Sequence, residues 1–284
     1  MKIGIIFFGL PRNTQSTLPS IKQYILNALG DHEIFIESCF SLQTYISNAH
    51  SNEAAALDQA NYSFFEQYSH QFIEPDALLD KDLFEQVIKF GDKWKDNGRS
   101  LKNLLMQLNC IQIAYLRCKK HGCDFYIFVR PDIIIHEAIP IKTFIERYTK
   151  ERAVLLPSWQ WYKGINDRFA IATQSASDTL GLRYYSVLQY CKDYNQPLHS
   201  ENFLYSLLIS DKSLTIRTCT SKMSRVRVDG TLAQESFSVV KRMGGFNRAV
   251  YSNIRRLQPN QKLLGLLSIF CYYLCKVLKI RTKI

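Results

Sequence analysis

The last 44 residues of the chain hold no aspartate and no glutamate. Ten lysines and arginines fall in residues 241–284, and the whole chain has a formal net charge of +11. The preceding 240 residues carry the other 26 basic residues against all 25 acidic ones. The body is therefore close to neutral and the tail carries the charge. A nucleic-acid-binding enzyme more often spreads basic residues over the surface around its site, so no nucleic-acid partner is expected. Zinc spacing is also lacking. Eight cysteines are present, at 39, 110, 118, 123, 191, 219, 271 and 275, but none forms a Cys-x-x-Cys pair or joins a Cys/His cluster. Several sit on apolar faces, where a free thiol behaves as a small hydrophobe, and a reducing compartment is the expectation. The first apolar run covers only Ile3 to Phe8, too short for the apolar core of a secretory signal. A cytoplasmic protein is expected. Internal repeats, low-complexity segments, a nucleotide-hydrolysing P-loop and a Ser/His/Asp order are absent too, which ranks hydrolase readings low.

No run reaches the ~20 apolar residues of a membrane-spanning helix. The longest uncharged stretch of the tail, "LLGLLSIFCYYLC" at 263–275, has thirteen residues and is followed by "KVLKIRTK". Such a segment suits the plane of a membrane interface, or else a core helix with a solvated basic end. The division expected is a catalytic body over 1–240 and a membrane-association segment over 241–284, peripheral at the inner face of the cytoplasmic membrane.

Strands alternate with helices along the body. "KIGIIFFG" reads as a short buried strand closed by the turn "GLPRN", and a helical pattern follows over 16–29 with Gly30 as its stop. "HEIFIESC" reads as a second strand. Residues 40–97 are polar and irregular, with helical pieces near 42–49 and 82–90. The clearest helix begins at Ser100 and ends at Gly122, with Leu101, Leu104, Leu105, Leu108, Ile111, Tyr115 and Cys118 on one face. The strand "DFYIFVR" follows at once. This is the pattern of an α/β sheet.

In such sheets ligands bind beyond the carboxyl ends of the strands. After the first strand, Gly9 permits a close backbone approach, and Arg12 and Asn13 can meet a phosphate or a base. Arg130, Pro131 and Asp132 interrupt the apolar run "FYIFVRPDIII". Charges without partners are costly to bury, so they sit at the mouth of a strand or are partnered by something else. A carboxylate there can hold Mg²⁺ or Mn²⁺ together with phosphate oxygens; a structural Arg–Asp pair is the other option. Asn166, Asp167 and Arg168 precede the strand "FAIAT", as a site rim or as an Asx turn. "PLHSENFLYSLLISD" begins a helix with Ser200 as candidate cap. His199 and Glu201 stand at its start, where they can contact a sugar, activate an acceptor hydroxyl, or merely complement the helix dipole.

Together, "FVRPDIII", "NDRFAIAT", "HSENFL" and the opening "IIFFGLPRNTQSTLPSIKQYIL" resemble bacterial glycosyltransferases of surface-polysaccharide and lipopolysaccharide synthesis, over roughly residues 2–208. The resemblance implies an α/β, GT-A-like (Rossmann-type) mixed sheet flanked by helices, a nucleotide-sugar donor and a glycan or lipid-linked glycan acceptor. Enzymes of that fold usually present Asp-x-Asp to a metal. Here Arg130-Pro131-Asp132 stands in that place, and only Asp132 matches. The expected site has Asp132 on the metal, and Gly9, Arg12, Asn13, Arg130, Arg168 and His199 on the donor. Asp167 or Glu201 is the expected base if the reaction inverts. Two alternatives remain open. "GLPRNTQSTL" is similar to the phosphosulfate loop of sulfotransferases, although Asn13, Thr14 and Gln15 replace its small residues. A non-catalytic membrane-bound scaffold is the other.

Overall fold

A computed structural model describes residues 1–48, 53–161 and 164–237. The segment 241–284, and with it the expected membrane association, lies outside the described residues. In chain order the strands are β1 (Lys2–Gly9), β2 (Glu33–Ser41), β3 (Tyr45–Asn48), β4 (Glu53–Ala56), β5 (Ser69–Ile73), β6 (Phe125–Val129), β7 (Ile133–Ile135), β8 (Ala153–Pro157), β9 (Phe169–Thr173), β10 (Thr215–Cys219) and β11 (Met223–Arg225). The helices are α1 (Thr14–Ile21), α2 (Ala60–Glu66), α3 (Pro75–Leu78), α4 (Lys81–Val87), α5 (Arg99–Lys119), α6 (Ile141–Tyr148), α7 (Gln174–Gly181), α8 (Val187–Tyr194) and α9 (Ser200–Ser210).

Seven strands form one sheet in the order β10-β8-β9-β6-β1-β2-β5. Every neighbour pair is parallel except those made by β9, which runs antiparallel to both β6 and β8. With helices on both faces, this is the GT-A-like α/β sheet expected from the sequence. β1, β6, β8 and β9 are apolar almost without break because both faces of the sheet are covered. α5 packs against β1 and β2, burying Leu101, Leu104, Leu105, Leu108, Ile111, Tyr115 and Cys118. Each such side chain contributes roughly 1.5–3 kcal/mol by leaving water. The six described cysteines are buried free thiols, in keeping with their reading as small hydrophobes.

Some local expectations shift. The helical piece expected near 42–49 is the hairpin β3–β4, pairing Tyr45 with Ala56. Gly98, not Ser100, is the N-cap of α5, and Asp96 binds the Ser100 amide from outside the helix. His199, not Ser200, is the N-cap of α9, and it makes no side-chain cap bond. From α1 the chain stays helical to Leu29 but loosens into a π-turn at Lys22–Leu26, three residues after Pro19. β5, β8 and β10 complete the sheet from segments that showed no clear strand pattern. Among the described residues no helix is long and apolar enough to cross a membrane.

Candidate active site

The reversed direction of β9 creates the site. Val129 at the end of β6 pairs with Phe169 at the start of β9. The residues that leave β6 and those that enter β9 therefore emerge at the same edge, where β1 and β2 also end. Arg130 follows β6, and Asp167 and Arg168 precede β9; the Arg130 amide donates to the Arg168 carbonyl at 3.3 Å. Over this edge opens a cavity of about 1000 Å³. Gly9, Arg12, Arg130, Asp167, Ser200, Arg225 and Arg227 are among its walls, together with Trp94 and the first turns of α5.

Asp132 lies beneath the floor, 0% exposed, at the carboxyl end of β6 beside β1. Its position at the mouth of a central strand is the one expected. Its chemistry is set by two guanidiniums. Arg130 grips it with a fork, Nε to Oδ1 at 2.8 Å and Nη2 to Oδ2 at 2.7 Å. Arg12 Nη1 adds a 3.0 Å bond to Oδ2. Burial alone would raise the Asp132 pKa, but Arg130 and then Arg12 hold it down at about 2. For Arg130 the order is the same: burial works against the charge, and Asp132 more than offsets it, so its pKa rises. Arg130 Nη1 also donates to Gln107 at 2.8 Å.

A divalent ion does not fit this carboxylate. Both oxygens already accept from cations, and no group of three His, Cys, Asp or Glu suited to a metal occurs among the described residues. Asp132 works here as the anchor that holds two arginines side by side.

The same two-to-one pattern recurs twice. Glu53, 7% exposed at its side chain, pairs with Arg227 at 2.9 Å and Arg12 at 3.8 Å. Glu235, with its side chain fully buried, pairs with Arg168 at 2.9 Å and Arg225 at 3.0 Å, and also accepts from Gln160. Arg168 is thus held behind the wall, with its guanidinium over the Trp159 ring at 5.5 Å.

β11 brings Arg225 and Arg227 in. It pairs antiparallel with β7, Arg225 opposite Ile133, and the Val226 amide donates to the Asp132 carbonyl at 2.8 Å. The chain then turns through Asp229-Gly230, with Arg227 amide to Thr231 carbonyl at 2.8 Å and Ala233 amide to Arg225 carbonyl at 2.9 Å, which returns Glu235 to Arg225.

Asp167 lines the cavity, and the Ser200 hydroxyl donates to its Oδ2. Glu201 follows Ser200 but is not itself among the lining residues. Burial, then the charge of Asp167, raises its pKa from 4.5 to about 7. Gly9 adopts φ +100°, and a Cβ there would stand 3.6 Å from the Arg130 guanidinium carbon. That glycine suits both the turn and the arginine lying across it. Asn13 is not brought to the cavity wall. Its Oδ1 accepts from Ser16 at 2.5 Å, and its amide lies against Gly230. His199 stacks on Trp94, with ring centroids 5.8 Å apart, and lies one layer back.

Arg225, Arg227, Glu53 and Glu235 were absent from the expected site. A signal existed for the first two: "RVRVDG" alternates basic and apolar residues into an Asp-Gly turn, the mark of a hairpin strand.

No family model matches the chain, and no curated protein matches it in sequence. Among solved structures, mouse xyloside xylosyltransferase 1 in its apo form is similar over 78% of this chain and 86% of that one, at 12% identity and a TM-score of 0.43. A likeness of that degree assigns neither donor nor acceptor.

Proposed function

We propose that the protein is a glycosyltransferase, moving a hexosyl or related sugar from a nucleotide-sugar to a hydroxyl of a glycan. The observation that carries this reading is one cavity wall with Arg12, Arg130, Arg225 and Arg227 beside the carboxylate of Asp167. The reaction asks for both. A departing diphosphate gains negative charge, and fixed cations aimed at it stabilise the transition state more than the ground state. In an inverting reaction the acceptor hydroxyl gives its proton to a carboxylate within reach. Asp167 stands in the wall with its orientation fixed by Ser200, so it is the first candidate base; Glu201 stands behind it. The acceptor in this reading is a surface glycan, lipopolysaccharide or capsule, free or lipid-linked, with the basic tail holding the enzyme to the membrane surface.

The phosphosulfate reading finds less support. A loop that wraps a phosphate needs free backbone N–H groups. Those of Arg12, Thr14 and Ser16 already donate to the Leu10 carbonyl, the Asn61 side chain and the Asn13 carbonyl.

Mass spectrometry of glycan acceptors incubated with a panel of nucleotide-sugars tests the proposal. Gain of one sugar residue supports it; transfer of sulfate from a phosphosulfate donor, or no transfer from any donor, overturns it. Asp167→Asn should abolish transfer while donor binding, read by calorimetry, persists.

A further inference from the structure

We infer that the site binds a diphosphate group without a divalent metal, through an arginine cradle that the hairpin after β11 completes with Arg225 and Arg227. The inference rests on the glycosyltransferase reading for its ligand, a nucleoside diphosphate, but its geometry stands by itself.

Five guanidiniums, those of Arg12, Arg130, Arg168, Arg225 and Arg227, are tied to three carboxylates, Asp132, Glu53 and Glu235. Each carboxylate holds two arginines, and the network carries an excess of two positive charges. Four of the five arginines reach the cavity. Burying like charges together is unfavourable. Burial first, and then the neighbouring Arg130 and Arg227, lower the pKa of Arg12, against the opposing pull of Asp132 and Glu53. Asp167 on the same wall offsets one of the two charges, and the arrangement stays one anion short on its cavity side.

Arg12 is the least exposed of the four arginines on the cavity. Its side chain is 9% exposed, and its Nε–H has no hydrogen-bond acceptor among the described residues. Glu53, at 3.8 Å, is beyond hydrogen-bond distance. That donor is enclosed beside Glu53 and does not open on the cavity; a phosphate there would meet the more exposed guanidiniums of Arg130, Arg225 and Arg227 and offset the excess charge. Arginine suits the task because its planar fork meets phosphate bidentately. A divalent ion would do the opposite, adding charge to a site already positive, and Asp132 has no free oxygen to receive it.

Two halves of the chain must meet for this cradle to exist. Arg12 and Arg130 follow the ends of β1 and β6, while Arg225 ends the strand laid antiparallel on β7 and Arg227 follows it. Arg225 is the most open of them, with 31% of its side chain exposed, and Arg227 follows at 18%. They can be changed with less effect on folding than the buried Arg130.

Calorimetric titration of the full chain with uridine, guanosine, cytidine and thymidine diphosphates and with inorganic pyrophosphate, in EDTA and in excess Mn²⁺, tests the inference. Binding in EDTA that Mn²⁺ changes by less than about twofold supports it, since both Asp132 oxygens are already held by arginines. Arg225→Gln and Arg227→Gln should each weaken that binding roughly 10- to 100-fold, the loss of a charge-assisted contact. Arg225→Lys and Arg227→Lys should recover part of it. Circular dichroism melts check that each variant is folded. Nucleotide binding that requires Mn²⁺ overturns the inference and leaves the glycosyltransferase reading standing. Folded glutamine variants that bind as tightly as the parent also overturn it. Pyrophosphate binding in EDTA with no binding of any nucleotide supports the cradle and removes the nucleotide-sugar reading. Absence of binding by every probe overturns both.

Discussion

Asp132 holds two arginines side by side without itself lining the cavity. It is 0% exposed and pairs with Arg12 and Arg130 together. Asp132→Asn leaves two buried guanidiniums without their counter-charge, and removing one partner of a buried ion pair costs about 3–5 kcal/mol. The midpoint of urea denaturation should fall accordingly. The pH dependence follows from the sign of the shift. The folded pKa of about 2 lies below the ordinary 3.8, so the stabilisation is present above pH 3.8 and is lost as the pH falls from there through 2. The acid limb of the stability curve should be shallower in Asp132→Asn. Glu201 has the opposite sign. Its folded pKa of about 7 lies above the ordinary 4.5, so the native state binds the extra proton between those values and loses stability as the pH rises across them, on the order of 3 kcal/mol in total. Glu201→Gln should flatten this slope in urea melts at pH 5 to 8, a window set by the same shift.

At the scale of elements, the position of α9 decides whether Ser200 and Asp167 meet. A Cβ on Gly164 would stand 2.0 Å from the Glu201 carbonyl oxygen, and the adjacent Ile165 amide donates to that same carbonyl at 3.1 Å. The segment entering β9 is therefore laid directly on the first turn of α9, and only glycine permits it. Gly164→Ala must push the two apart, at a cost of about 1–3 kcal/mol for overpacking. The larger effect should fall on turnover: a shift of about 1 Å in the Ser200–Asp167 pair can cost roughly a hundredfold. A kcat that falls with little change in nucleotide affinity is the expected result; an unchanged kcat would mean that the Asp167 wall does not take part in the chemistry.

For the whole molecule, the near-neutral body and the charged tail make separate contributions. Basic residues near an anionic leaflet contribute about 1 kcal/mol each, and each large apolar side chain inserted from 263–275 adds roughly 1.5–3 kcal/mol. The chain should sediment with anionic vesicles, and salt should weaken this only in part, because screening leaves the apolar contribution intact. Removal of residues 263–284 should release the protein from vesicles and leave transfer to a soluble acceptor analogue largely unchanged. If the shortened protein unfolds, the segment belongs to the core.

Local pattern determined much of this protein. The apolar runs at β1, β6 and β9, the periodic face of α5, and the charges at the end of β6 are short-range features, and each was legible because side-chain periodicity belongs to the element alone. The strand-end rule then placed Gly9, Arg12 and Arg130 at one edge. Strand direction was not legible. Asp167 and Arg168 reach that edge only because β9 runs backwards between β6 and β8, and such pairing depends on contacts forty residues apart. Nor could the sequence choose between a metal and an arginine at Asp132. The decision lies with Arg12, 120 residues away, and with the hairpin that returns Arg225 and Glu235 to the rim. A buried carboxylate takes its chemistry from whichever charges the fold brings beside it. Here the fold brought cations on both oxygens, and that only the tertiary structure could decide.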